Sequence, residues 1–149
     1  MKICNNTRVR TPTVNVNLAN GVIPNIFPLD PSSASLTGDG YAIDKSPYML
    51  TFIVDDSVGY FSSFSAVFTP TSGYDPSKIF FPCNIVTNPR GSGLGNYLTY
   101  IVMNGVAANG QSNTETFTCR VTFNQYGPQG ATTPIVRAMN SGSIKNEPV

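Results

Sequence analysis

Asp55 and Asp56 stand side by side, and a pair of carboxylates is what glycoside hydrolysis requires. The two groups must face each other about 5–10 Å apart across the bond to be cut. On an extended chain adjacent side chains point to opposite faces, so this pair does not converge. An acid pair would have to be assembled from distant segments, with Asp44 set against Asp55 or Asp56. The chain contains no histidine. That absence excludes Ser-His-Asp and Cys-His catalysis, and His-based metal sites with them. Lys45-Ser46 and Ser77-Lys78 are only sequence neighbours in turn-like surroundings, a poor setting for a lysine held over a serine at depressed pKa. The expectation is a protein that is not an enzyme and carries no cofactor.

Asp39, Asp44, Asp55, Asp56 and Asp75 fall in or beside expected loops, where carboxylates serve either calcium or turn capping. Calcium takes six to eight oxygens from flexible loops, yet no D-x-D-x-D-G pattern occurs. Capping through local hydrogen bonds is the expected role, and no metal site is expected. RGSGLGN, residues 90–96, invites a phosphate-loop reading. Its glycines at 91, 93 and 95 miss the G-x-G-x-x-G spacing, Asn96 stands where the last glycine belongs, and no helix follows. A mobile connection between strands is the better reading. Asn5-Asn6-Thr7 is the only glycosylation sequon.

Sugar recognition on β-proteins combines an aromatic face with amide or carboxylate groups that grip hydroxyls. With no tryptophan, tyrosine must supply the face. Tyr41, Tyr74 and Tyr126 lie at turns beside Asp, Asn or Gln. Tyr41, Asp44, Tyr74, Asp75 and Tyr126 are therefore the candidate ligand-binding residues.

These residues have to be positioned by strands. TFTCRVTFNQ, residues 116–125, alternates cleanly, with Phe117, Cys119, Val121 and Phe123 on one face and Thr118, Arg120 and Thr122 on the other. TVNVNLA, residues 13–19, sets Val14, Val16 and Leu18 against Asn15 and Asn17. Residues 48–54 and 97–103 are continuous apolar runs of strand length. Residues 79–87 are rich in β-formers, but Pro82 cannot donate to a ladder and implies an edge strand or a bulge. Residues 133–139 supply the last strand. The run VDDSVGYFSSFSAVF, residues 54–68, fits a helical stripe at Phe61, Phe64 and Phe68 as well as an alternating strand. Its lack of strong helix formers makes residues 58–69 one strand, with Tyr60, Phe64, Ala66 and Phe68 on one face and Phe61 and Val67 on the other. Between the runs lie turn signals such as Asn20-Gly21, Asp39-Gly40 and Gly127-Pro128. Pro24, Pro28 and Pro31 make residues 23–40 a long irregular connection, the place to look first for a binding surface.

The pattern predicts an all-β fold, a single antiparallel β-sandwich of jelly-roll or Ig-like kind with about seven to eight strands. Residues 1–12 read as an N-terminal arm, 13–139 as the sandwich domain and 140–149 as a C-terminal tail. Three cysteines, Cys4, Cys83 and Cys119, cannot all pair within one chain. Buried free thiols are expected, with a Cys83–Cys119 bridge as the alternative.

Of 149 residues only 11% are charged, and the net charge is +1. A typical domain carries roughly 25% charged residues. With no broad basic surface, specific nucleic-acid binding is not expected, and no apolar run reaches the ~20 residues of a membrane span. Residues 1–10 lack the apolar core of a secretory signal, which implies a mature chain or one without such a signal. A weakly charged polar surface offers little repulsion between copies. The TVNVNLA segment resembles, in pattern, the strands that chaperone–usher pilus subunits donate to their neighbours. The resemblance implies assembly by strand addition.

The leading expectation is a self-assembling structural subunit of a virion, fibre or surface layer, with copies of itself as partner. Val14, Val16 and Leu18 are its candidate assembly residues. Arg8 and Arg10 of the basic arm would dock on the acidic middle of a neighbour. The alternative is a secreted or surface lectin-like module with glycans as partner. Both place the protein outside the cell or on a virion or cell surface.

Overall fold

The computed structural model describes residues 13–18, 26–27, 48–71, 75–103 and 115–146. These form ten strands: β1 Thr13–Asn17, β2 Ile26–Phe27, β3 Tyr48–Asp55, β4 Gly59–Tyr60, β5 Ala66–Pro70, β6 Phe80–Val86, β7 Gly95–Val102, β8 Glu115–Gln125, β9 Ile135–Asn140 and β10 Ile144–Asn146. Among the described residues helical structure is limited to short 3-10 turns such as Pro76–Lys78, in keeping with the all-β expectation. No helix among the described residues is long and apolar enough to cross a membrane.

The strands make two sheets. The first, of four strands, runs β1-β3-β7-β6, and the second, of six, is built around β8. One side of β8 carries β4 and β5, and β9 and β10 pair with it as well. β2 pairs with β10. The expected all-antiparallel arrangement is corrected at two places: β1 runs parallel to β3 and β2 runs parallel to β10. A parallel partner can be reached only through a long connection. The stretch between Asn17 and Tyr48 supplies one for β1. Asn140 closes β9, and Ile144–Asn146 is a strand, so sheet pairing continues into the segment that the sequence pattern assigned to the tail.

Alternation places the core as expected along β8, where Phe117, Cys119, Val121 and Phe123 are all buried. In β3 and β7 one face is inward, with Tyr48, Leu50, Phe52, Val54, Leu98, Tyr100 and Val102 buried. At the centre of the opposite face, Thr51 and Thr99 pair in register and their hydroxyls hydrogen bond at 3.1 Å. Pro82 sits on β6 at the end of the sheet, and the register slips between Pro82 and Asn84. Of the two alternatives the proline implied, an edge strand or a bulge, both occur among the described residues.

Residues 58–69 are not one strand. Tyr60 pairs with Asn124 and Ala66 with Val121, so the chain spends six residues where its partner spends three. The extra residues form a loop between β4 and β5, fastened where Ser65 accepts the Thr122 amide at 3.2 Å. An odd number of extra residues reverses the side on which the following side chains fall. Phe61 and Phe68, expected on opposite faces, are therefore both buried, whereas Phe64 is 44% exposed.

The two sheets meet through aromatic rings. Phe68 of β5 stacks on Phe80 of β6 with centroids 3.8 Å apart. Phe80 meets Phe117 edge-on at 5.0 Å, and Phe68 meets Tyr100 edge-on at 5.1 Å. Val16 and Leu18 join the same core cluster. Burying each large apolar side chain contributes roughly 1.5–3 kcal/mol relative to exposure, so this aromatic contact is a main source of cohesion between the sheets.

Candidate functional site

Two surfaces combine exposure with definite geometry. One is the strand β9. It pairs with β8 from Ile135 to Asn140 and with no other strand among the described residues. Val136 is 65% exposed and Ile135 42%. Arg137, the strand's one charge, is turned back onto Gln125 through a 2.6 Å hydrogen bond from Nε to Oε1. Proline breaks β6 at Pro82 and ends β5 at Pro70. β9 has no such interruption, since Pro134 precedes it.

The other surface is a cleft of about 160 Å³ lined by Tyr60, Arg90, Tyr126, Gly127, Ala131, Thr132, Thr133 and Pro134. The rings of Tyr60 and Tyr126 tilt against each other at 39°, with centroids 5.6 Å apart. The guanidinium carbon of Arg90 lies over the Tyr126 ring, 4.7 Å from its centroid. Tyr60 is placed by the pairing of β4 with the end of β8. Tyr126 continues β8 and donates its amide to the Val58 carbonyl at 2.9 Å. A turn in which Ala131 N–H donates to Pro128 O at 2.9 Å shapes the far wall.

Arg90 is held by the loop that sequence reading treated as mobile. Asp56, 2% exposed, accepts from the Ser92 hydroxyl at 2.7 Å and from the Gly93 amide at 3.0 Å. Gly93 has φ +75, a conformation that side chains rarely adopt. Asn96, fully buried, accepts from the Asn88 amide at 2.6 Å and donates to the Gly59 carbonyl at 2.9 Å. Asn88 Nδ2 donates to Gly95 O. The loop is thus fastened at both ends and the middle. Asp56 and Gly59 lie 36 to 37 residues away in sequence, which is why composition alone made the loop look loose.

Asp55 and Asp56 differ in exposure, the first open to solvent and the second buried. Asp55 is exposed and accepts from Ser57, whose hydroxyl and amide hold the carboxyl below its ordinary range. Asp75 does the same with Ser77 at the start of the 3-10 turn. Turn capping is the role that the geometry gives these two. Among the described residues no group of three or more Cys, Asp or Glu side chains gathers to hold a metal.

Of the two expected ligand-binding residues that are described, Tyr126 lines the cleft and Asp75 does not. Asp75 belongs to the connection leading into Phe80, whose ring meets Phe117 at the start of β8. The neighbours of Asp75, Pro76 and Ser77, line a groove beside β5 and not the cleft that Tyr126 lines. Tyr41, Asp44 and Tyr74 lie outside the described residues, as do Arg8, Arg10, Cys4 and most of the 23–40 connection. Val14 pairs with Leu50 in β1. Val16 and Leu18 are each 2% exposed and fill this chain's own core. Tyr60 and Arg90 were missed. Tyr60 falls within what reads as an unbroken strand, and Arg90 gains meaning only once Asp56 holds Ser92 and Gly93 of its loop.

Cys83 is exposed and Cys119 is buried, and neither is in a disulfide. The alternative Cys83–Cys119 bridge is corrected accordingly, and so is the burial of Cys83. The bulge at Pro82 leaves Cys83 out of the β6–β7 register, whereas alternation along β8 turns Cys119 inward.

An apolar groove of about 300 Å³ also opens between β5 and β6, lined among others by Phe64, Val67, Phe68, Phe80 and Tyr100. No known protein family, curated protein or solved structure matches the chain.

Proposed function

We propose that the chain is a non-enzymatic, self-assembling β-sandwich subunit of a virion, fibre or surface structure. In this reading the two sheets are the layers of a sandwich of jelly-roll or Ig-like kind, and copies associate through an open sheet edge. β9 carries the proposal. A strand of six residues with one edge unpaired among the described residues, an exposed Val136 and no interrupting proline is a template for another strand. Monomeric proteins blunt such edges with charge, proline or bulges, as β5 and β6 are blunted here. The sparse surface charge, 11% of residues, adds little repulsion between copies. The β1–β3 pairing offers a second route, because the same parallel pairing could be made by β1 of a neighbour.

The test is mass in solution by light scattering, for the native chain and for Val136→Lys. Defined particles or fibres that fall to the 16.0 kDa monomer in the variant would support assembly through β9. A native chain that is monomeric at high concentration would overturn it. Truncating β1 is a less clean test, since Val16 and Leu18 belong to the core.

A second reading, a secreted or surface lectin-like module, is favoured by the tyrosine cleft. Paired aromatic rings beside hydroxyl and guanidinium donors have the composition of a sugar subsite.

A further inference from the structure

The cleft between the β4 and β8 ends has a composition more selective than a general sugar platform. We propose that it binds one pyranose ring bearing a carboxylate, of the uronic-acid or sialic-acid type; this rests on the lectin-like reading and names its ligand class.

Charge is the first ground. Among the described residues Arg90 is the cation of the cleft and no carboxylate pairs with it; its guanidinium rests on the Tyr126 ring. The nearby acid in sequence, Asp56, is already occupied by Ser92 and Gly93. A guanidinium resting on an aromatic face retains N–H donors at its edge, in the fork that a carboxylate accepts in two parallel bonds.

The remaining walls suit the rest of a sugar ring. Tyr60 and Tyr126 offer aromatic surface for the apolar C–H face, and Thr132 and Thr133 offer hydroxyls as both donors and acceptors. Size limits the occupant. A cleft of about 160 Å³ is smaller than the ~300 Å³ at which whole drug-sized sites begin, so it admits a single ring of a longer chain. A side chain on Gly127 would press on the Ala131 side chain, its Cβ only 2.8 Å away, which keeps that part of the lining small.

Rigidity supports affinity. The loop bearing Arg90 is fastened by Asp56, Asn88 and Asn96, so little ordering remains to be done on binding.

The experiment titrates the full chain with methyl glucuronide, methyl glucoside and sodium acetate, following backbone amides of Gly127 and residues 131–133 by NMR. The expected result is saturable perturbation by the glucuronide, with the glucoside about tenfold weaker, the discrimination that a charge-assisted pair supplies. Arg90→Gln, a substitution at an exposed position, should remove the preference and leave only the weak neutral binding. Equal binding of glucoside and glucuronide would overturn the carboxylate assignment while leaving the lectin-like reading standing. Acetate competing as well as the glucuronide would reduce the cleft to an anion site and overturn the sugar assignment. No perturbation of the cleft by either glycoside would overturn both readings.

Discussion

The buried carboxylate of Asp56 accepts the backbone N–H of Gly93 at 3.0 Å across 37 residues of sequence. With the Ser92 hydroxyl also bound to it, one side chain sets the path of the loop carrying Arg90. Replacing it by alanine leaves two donors without their acceptor, a loss of about 1–3 kcal/mol. Asp56→Ala should lower the free energy of unfolding in urea by that amount and abolish hydrogen-exchange protection at the Gly93 amide. Unchanged protection would mean that the loop is held by other groups.

Phe61 and Phe64 are three residues apart, yet Phe61 is 1% exposed and Phe64 44%. Phe61→Ala should destabilise by about 3–5 kcal/mol, the range for a buried aromatic. Phe64→Ala removes an edge contact with Tyr100 and should cost no more than about 1.5 kcal/mol. Denaturant unfolding of both variants measures the difference. Similar losses would contradict the looped register between β4 and β5.

The two described thiols should differ sharply in reactivity. Cys119 is 1% exposed and burial pushes its thiol up to about 12, so almost no thiolate forms at neutral pH. Cys83 is exposed. In a Cys4→Ser background at pH 8, an aromatic disulfide reagent should titrate one thiol quickly and the second only after unfolding. Two fast thiols would show that the β8 core opens readily.

Acid should weaken two turns together. The Ser57 and Ser77 hydrogen bonds lower the pKa of Asp55 and Asp75 in the folded chain. A depressed native value means that each contribution is complete above the ordinary carboxylate range. It fades as pH falls through the lowered value, because the unfolded chain takes up the proton first. Carboxyl NMR titration should place both below 3.8, and Ser57→Ala should return Asp55 toward that value. Ordinary titration of Asp55 in the native chain would remove the capping interaction.

How legible all this was depends on the distance over which each cause acts. β8 could be read residue by residue, because alternation is a local property and Phe117 to Phe123 obey it. Pro82 announced an edge or a bulge, since a missing N–H cannot serve a ladder wherever it falls. The loop between Tyr60 and Ala66 could not be read, because register is set by the partner strand and nothing in Ser62-Ser63-Phe64 records where Val121 lies. The parallel seat of β1 was hidden for a similar reason. For the site, Tyr126 was visible as a tyrosine at a turn. Its companions, Tyr60 and Arg90, reach it only by tertiary pairing and by the hold of Asp56.

The parallel docking of β1 also sets a sequence of events. Its partner β3 is met only after the intervening residues 18–47, whereas β6 with β7 and β8 with β9 are neighbours along the chain. Short-range hairpins close first, and a distant strand docks once its seat exists. Val16 and Leu18 are therefore expected to enter the core late, and amides of β1 should exchange faster than those of β8. On the proposed assembly reading, release of β1 would bare the seat along β3 in an otherwise folded body, and trading β1 strands between two such bodies would be a low-cost step toward assembly.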